Sequence, residues 1–264
     1  MIQALFVLWR ESAEALLVIG ILHAWLRRHG DARHALRWLW AGVAAGCGLS
    51  ALFAAALLGL FASLAGEALE WVQLGMMLLA SGLIVHMAVW MRRQGPQLRR
   101  SLETGLAGRA GPGVALLAAL AVAREGSETV VFLYGLGLER LPVGQLALTL
   151  LLGLALAAAT YWLLQHGGRR LQWRTFFRIS ETLLLLLGGA LLLAAVEKLT
   201  MLGHLPTLVD ELWDSSWLLD DGGDFGRLLA GFTGYRTHPA LSPLLALAGY
   251  WLLALAWLRR SSRA

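Results

Sequence analysis

The chain has 264 residues, of which 58% are hydrophobic and 15% charged. A soluble domain is usually about 45–50% apolar and about 25% charged, so this composition excludes an ordinary water-soluble domain and indicates a membrane protein. The net charge of +5 does not point to nucleic acid, because the basic residues fall in short clusters between apolar segments, where they set orientation in a bilayer.

Met1 to Leu8 contain no basic residue, so the start lacks the n-region of a cleavable signal peptide and the first helix is expected to be retained. Apolar stretches of about 20 residues, enough to span a bilayer, are placed at about 4–26, 38–63, 70–92, 113–137, 142–165, 178–200 and 240–259. Gly42, Gly46, Gly48 and Gly59 of the second stretch suit close helix packing. That stretch also holds Cys47, the single cysteine, which allows neither an intramolecular disulfide nor a thiolate metal cluster.

The connections alternate in charge. Arg27, Arg28, Arg33 and Arg37 lie between spans one and two, and Arg92, Arg93, Arg99, Arg100 and Arg109 between three and four. Arg169, Arg170, Arg174 and Arg178 lie between five and six, and Arg259, Arg260 and Arg263 at the C-terminus. The other side carries Glu67 and Glu70, the Glu139–Arg140 turn, and an acidic loop over about 201–239. The positive-inside rule then predicts seven spans, with the N-terminus outside and the C-terminus cytoplasmic. Trp25, Trp38, Trp40, Trp90, Trp162 and Trp257 cluster near the predicted inner ends as interfacial anchors. Of the 22 basic residues 21 are Arg and one is Lys198; with Leu, Ala and Gly abundant, this suggests a GC-rich bacterial genome and hence the bacterial cytoplasmic (inner) membrane.

Two spans carry an internal motif: Arg10-Glu11-Ser12-Ala13-Glu14 in the first and Arg124-Glu125-Gly126-Ser127-Glu128 in the fourth, 114 positions apart. A charge at the bilayer centre costs about 2.5–3.5 kcal/mol on the insertion scale, so six ionisable groups in repeated units argue for function over packing. Span one runs inward and span four outward. The chain therefore reads as a single transmembrane domain, all-α, built as a 3+3 inverted repeat plus one. Repeat one covers about 1–92 and repeat two about 113–200; the extracytoplasmic loop follows over about 201–239, then the last span over about 240–259. Inverted repeats place a binding site near the midplane at their interface. At about 1.5 Å per residue, both Glu pairs are expected in the middle to outer half of the membrane.

Residues three or four apart share a helix face, so Glu11 with Glu14, and Glu125 with Glu128, each point one way. If spans one and four are neighbours, four carboxylates converge into an oxygen-rich site for a hard cation, unlike the thiolate, thioether or imidazole sites of softer ions. Four Glu and two Arg sum to −2, which a divalent ion neutralises and a trivalent ion leaves at +1. Arg10 and Arg124 are expected to orient the carboxylates when no ion is bound, and competition between metal and protons makes such binding pH-dependent.

These paired motifs in spans one and four of a seven-span chain resemble the oxidase-dependent iron permease family, which includes fungal high-affinity iron permeases and bacterial EfeU-type transporters. The stretch from Gly226-Arg227-Leu228-Leu229 to Gly234-Tyr235-Arg236-Thr237-His238-Pro239 resembles the family's segment before the last span. The resemblance implies import of iron, Fe3+ in most accounts rather than Fe2+, with Glu11, Glu14, Glu125 and Glu128 as ligands. It implies no prosthetic group, and a periplasmic iron-binding or oxidase partner as a separate polypeptide.

Other residues read more plainly. Glu67 and Glu70 are a solvated loop pair, or an outer capture site. Asp210, Glu211, Asp214, Asp220, Asp221 and Asp224 form an acidic loop that either concentrates cations or is simply soluble. Lys198 is expected to neutralise Glu197; these two and Glu181 are read as structural. His86 suits a helix–helix hydrogen bond, and Met76, Met77, Met87 and Met91 suit packing. Tyr134 is placed off the site face, while Ser127 and Thr129 are candidate supporting donors to the carboxylates. Two alternatives to iron import stand beside it: a permease for lead(II) or another divalent metal, and a carboxylate di-metal enzyme. The enzyme is disfavoured because di-iron bundles use Glu-x-x-His where both motifs here end in Glu. A metal sensor is disfavoured because only a few residues follow span seven.

Overall fold

A computed structural model describes residues 2–28, 32–94, 111–137, 142–166 and 173–261. Arg99, Arg100, Arg109, Glu139, Arg140, Arg169, Arg170 and Arg263 of the loop-charge pattern lie outside these residues. The described residues form eight helices and no strand: α1 (Ile2–Arg28), α2 (Ala32–Ser63), α3 (Glu67–Gln94), α4 (Gly111–Gly135), α5 (Val143–His166), α6 (Trp173–Met201), α7 (Asp224–Thr233) and α8 (Leu241–Ser261). Seven match the predicted spans to within a few residues. The eighth, α7, lies inside the loop read as irregular. It ends at Gly234, whose φ of 73° is a left-handed cap and whose N–H donates to Ala230 O.

Five helices, α2, α3, α5, α6 and α8, are long and apolar enough to cross a membrane. The other two long helices, α1 and α4, are the ones that carry three ionisable residues within one motif. Helix α6 is the most deeply buried of the five, whereas α2 and α5 direct most of their apolar surface outward. In lipid that outward surface carries no penalty, since the hydrocarbon is as apolar as leucine. Trp40, Trp162 and Trp257 are exposed, as interfacial anchors require. Trp90 is only partly exposed and has a different role, described below.

Close packing is concentrated where helices lack side chains. On α2, Gly42 lies against the Ala115 backbone of α4, and a Cβ on Gly46 would stand 2.7 Å from Val122 Cβ. Gly48 and Gly59 have nothing within 4 Å, so the expectation of close packing fails for these two. Residues 42, 46 and 50 share one helix face, and Gly48 lies off it. On α5, a Cβ on Gly153 would stand 2.8 Å from Leu8 Cβ of α1, and Tyr161 fills the space beside Gly20.

The contacts have a regular pattern. From Trp38–Gly111 through Ser50–Gly126 to Tyr134 Oη, which donates to Ala54 O at 3.4 Å, residue numbers rise together along α2 and α4. The same holds for α1 and α5, so each pair runs in one direction. Leu8 and Val122 stand two residues before the Arg of their motifs, and each meets a glycine 107 positions from the other's, Gly153 and Gly46. The same shift carries Ala54, which faces Tyr134, onto Tyr161, which faces Gly20. It also carries Ser81 onto Gly188, and Ser81 Oγ donates to Gly188 O at 2.8 Å. A residue that touches its own counterpart is the expected mark of a pseudo-two-fold axis between α3 and α6.

The principal core lies between α3, α4 and α6, around Ile84, Phe132 and Leu187, and a second cluster around Leu22, Leu39 and Ala118 joins α1, α2 and α4. At one end of the molecule, Gln3 lies against Gly231 and Phe6 meets Phe232 edge-on at 5.6 Å. That end also holds the start of α3 and the end of α6, where Lys198 pairs with Glu70 and donates to Gln73 at 2.5 Å.

Candidate metal centre

Both motifs are helical, and the i, i+3 spacing turns each Glu pair to one side of its helix. The second motif has Gly126 where the first has Ser12; a Cβ there would collide with Ser50 Oγ, so the glycine lets α2 lie against α4. Helices α1 and α4 are in contact, and one carboxylate oxygen each from Glu11, Glu14 and Glu125 lies within 4.8 Å of the others. Glu11, Glu14 and Glu125 are all buried. They form the one group of three acidic, His or Cys side chains, among the described residues, placed to share a metal ion. Glu128 is not in this group.

The two arginines differ in setting. Arg10 is 1% exposed; its Nη1 donates to Glu11 Oε1 at 2.7 Å and its Nη2 is ion-paired with Glu14. Arg124 is half-buried, donates from Nε to Glu128 Oε1 at 2.9 Å, and lies 4.3 Å over the Trp90 ring. Trp90 thus holds a cation through its π face instead of anchoring the chain in lipid. Glu11 Oε2, Glu125 Oε2 and Glu128 Oε2 are buried without a hydrogen-bond donor. Arg10 Nε is buried without an acceptor in the same cluster; buried polar groups are nearly always paired, so these atoms mark the two motifs as the exceptional place in the interior.

Met87 and Met91 do more than pack: Arg10 Nη1 is 2.8 Å from Met87 Sδ and Nη2 3.1 Å from Met91 Sδ. Tyr134 lines a cavity of about 400 Å³ between α1, α2, α4 and α5 together with Glu11, Glu125, Ser12, Ser50 and Thr129. Ser127 and Thr129 do not donate to the carboxylates; their hydroxyls bond to Arg124 O and Glu125 O of their own helix. His86 is exposed. Measured along α3, the site stands beside residues 87–91, in that helix's C-terminal quarter.

The charges at the end that holds α7 also pair differently from expectation. Glu197 is bound by Arg236, with Nε and Nη2 at 2.7 and 2.8 Å, and this bidentate hydrogen bonding raises the Arg236 pKa above its usual range. Lys198 therefore neutralises Glu70, not Glu197. Glu67 Oε1 accepts from Trp71 at 3.4 Å and lies 3.8 Å from His204. The acidic loop is tied up locally: Asp214 and Asp220 accept from the backbone N–H groups of Ser216 and Gly222, Asp221 from that of Thr237, and Asp210 from the Thr207 hydroxyl. Such bonds are those of turn-forming aspartates.

A helical bundle with a buried, charge-bearing centre and an apolar outer face defines a multi-pass membrane protein with a cluster of ionisable side chains in its interior. Comparison with known proteins gives its kind: the iron permease FTR1 family matches residues 1–259, and the chain belongs to that family. It is a permease, not an enzyme. The ferrous iron permease EfeU of Escherichia coli O157:H7 is 27% identical over 94% of this chain and 92% of its own length. The protein of that name from Yersinia pestis is 27% identical over 94% and 90%. The iron permease EfeU of Bacillus subtilis is 33% identical over 79% of this chain but 44% of its own, longer sequence. No solved structure matches.

Proposed function

We propose that the protein imports iron across the bacterial inner membrane through a site built from Glu11, Glu14, Glu125 and Glu128. The observation that carries this reading is the convergence of Glu11, Glu14 and Glu125 to within 4.8 Å in the interior of an iron permease family chain. Glu128 joins as the fourth ligand when it exchanges its bond from Arg124 for the ion. The names of the relatives, ferrous and iron permease, support iron as cargo.

Seven helices cross the membrane in this reading, α1 and α4 included, with the N-terminus outside. Support comes from the parallel pairs α1/α5 and α2/α4, which seven alternating crossings require, and from the contacts that repeat under one shift. Alternating access then follows as rocking of the two repeats about the fixed site, the behaviour of inverted-repeat transporters. An oxidase or iron-binding partner works at the end that holds α7, where the exposed Glu67 carboxylate is a first point of capture for the ion.

Iron uptake into proteoliposomes tests the site. Glu11→Gln and Glu125→Gln each abolish uptake in protein that still elutes as a folded species, and Glu128→Gln lowers it. Unchanged uptake in Glu125→Gln would return the motifs to a structural role. Transport of lead(II) but not iron by the wild type would replace the cargo.

A further inference from the structure

The acceptors around the Arg10 guanidinium describe a second property of the centre. Nη1 is shared between Glu11 Oε1 at 2.7 Å and Met87 Sδ at 2.8 Å; Nη2 is shared between Glu14 and Met91 Sδ at 3.1 Å. Two carboxylate oxygens and two thioether sulfurs thus surround one resident cation. Met87 is 1% exposed, so its sulfur is turned to the interior. Glu11 Oε2 and Glu125 Oε2 are buried without a donor, and Arg10 Nε is buried without an acceptor, so the guanidinium leaves part of this cluster unsatisfied.

The fold does not demand sulfur at these positions. The shift that carries Ser81 onto Gly188 carries Met87 onto Ala194 and Met91 onto Lys198, and neither residue offers a thioether. Charge points the same way as softness. Glu11, Glu14 and Glu125 with Arg10 sum to −2, and Arg124 with Glu128 sums to zero, so a divalent ion balances the centre. A neutral, soft thioether adds no charge to hold a trivalent ion, and it favours softer over harder divalent ions.

We propose that Met87 and Met91 are metal ligands of this centre, that the Arg10 guanidinium holds the ion's place between them and the carboxylates, and that the sulfurs select ferrous iron over ferric iron and over oxygen-preferring ions such as manganese(II). This rests on the carboxylate site of the preceding section. Arg10 swings aside as the ion enters, and the ion takes the acceptors that Arg10 held as its ligands.

The test is anaerobic binding of Fe2+ and of Mn2+ to the purified full chain, with iron X-ray absorption on the same samples. The wild type is expected to show a sulfur scatterer in the iron's first shell, farther out than the oxygen ligands at about 2.0–2.2 Å. Met87→Leu/Met91→Leu, which nearly conserves volume, is expected to lose that scatterer and to bind Fe2+ about tenfold more weakly with Mn2+ affinity unchanged. Iron bound by the wild type through oxygen alone overturns this proposal and leaves the carboxylate site standing, whether or not the double variant folds. A wild type that binds no Fe2+ overturns both.

Discussion

Removing the positive charge from the centre gives the sharpest test of how its parts depend on one another. In Arg10→Leu, the partner lost stood 2.7 Å from Glu11 Oε1 and was also paired with Glu14, all at sites hidden from solvent. Unit charges 2.7 Å apart attract by about 6 kcal/mol at an effective dielectric near 20, while drawing each ion out of water costs several kcal/mol. The intact cluster therefore nets little, but loss of the cation leaves the carboxylates buried with nothing to offset their desolvation. We expect Arg10→Leu to destabilise the protein by about 3–5 kcal/mol. Adding Glu11→Gln and Glu14→Gln should recover at least half of that, because amides need hydrogen bonds and no counter-charge. The assay is unfolding by SDS in mixed micelles, followed through the fluorescence of the 12 tryptophans. If the single variant unfolds with the wild type, or the triple variant is as weak as the single, the counter-ion argument is wrong.

The glycine positions make a matched set. Gly46→Val and Gly153→Val each force a helix pair apart at equivalent places and should each cost about 1–3 kcal/mol in the same unfolding assay. Gly48→Ala and Gly59→Ala, in open space on α2, should be neutral or stabilise by about 0.5–1 kcal/mol. At the α7 end, Glu197→Gln removes the charge and one of the two acceptor oxygens of a bidentate pair that ties the 234–239 segment to α6. Limited proteolysis of the 202–240 region should then speed several-fold; an unchanged rate would assign the hold to Tyr235 and its bonds to Ser215 and Leu219.

Much of the architecture was legible along the chain because each signal was local. An apolar stretch announces a helix that lipid can solvate, and a charged triplet inside one announces a site whatever its neighbours. Helix α7 escaped because its ten residues are half the length of a span, although its apolar and polar residues separate onto two faces. The pairing of Glu197 escaped for another reason: Lys198 is adjacent in sequence, but successive residues on a helix point about 100° apart, so Lys198 reaches Glu70 on α3 while Glu197 meets Arg236 from the loop.

Sequence alone determined that this is a helical membrane protein with two equivalent charged motifs, because apolar length and buried charge are properties of single segments. Only the tertiary structure decided that the motifs are unequal. Arg10 is enclosed by two carboxylates and two methionine sulfurs, while Arg124 leans out over Trp90 and leaves Glu125 to the cluster of three. The physical reason is that these neighbours come from α3, and which α3 side chains face each arginine depends on the rotation and height of one helix against another, which no period within a helix encodes.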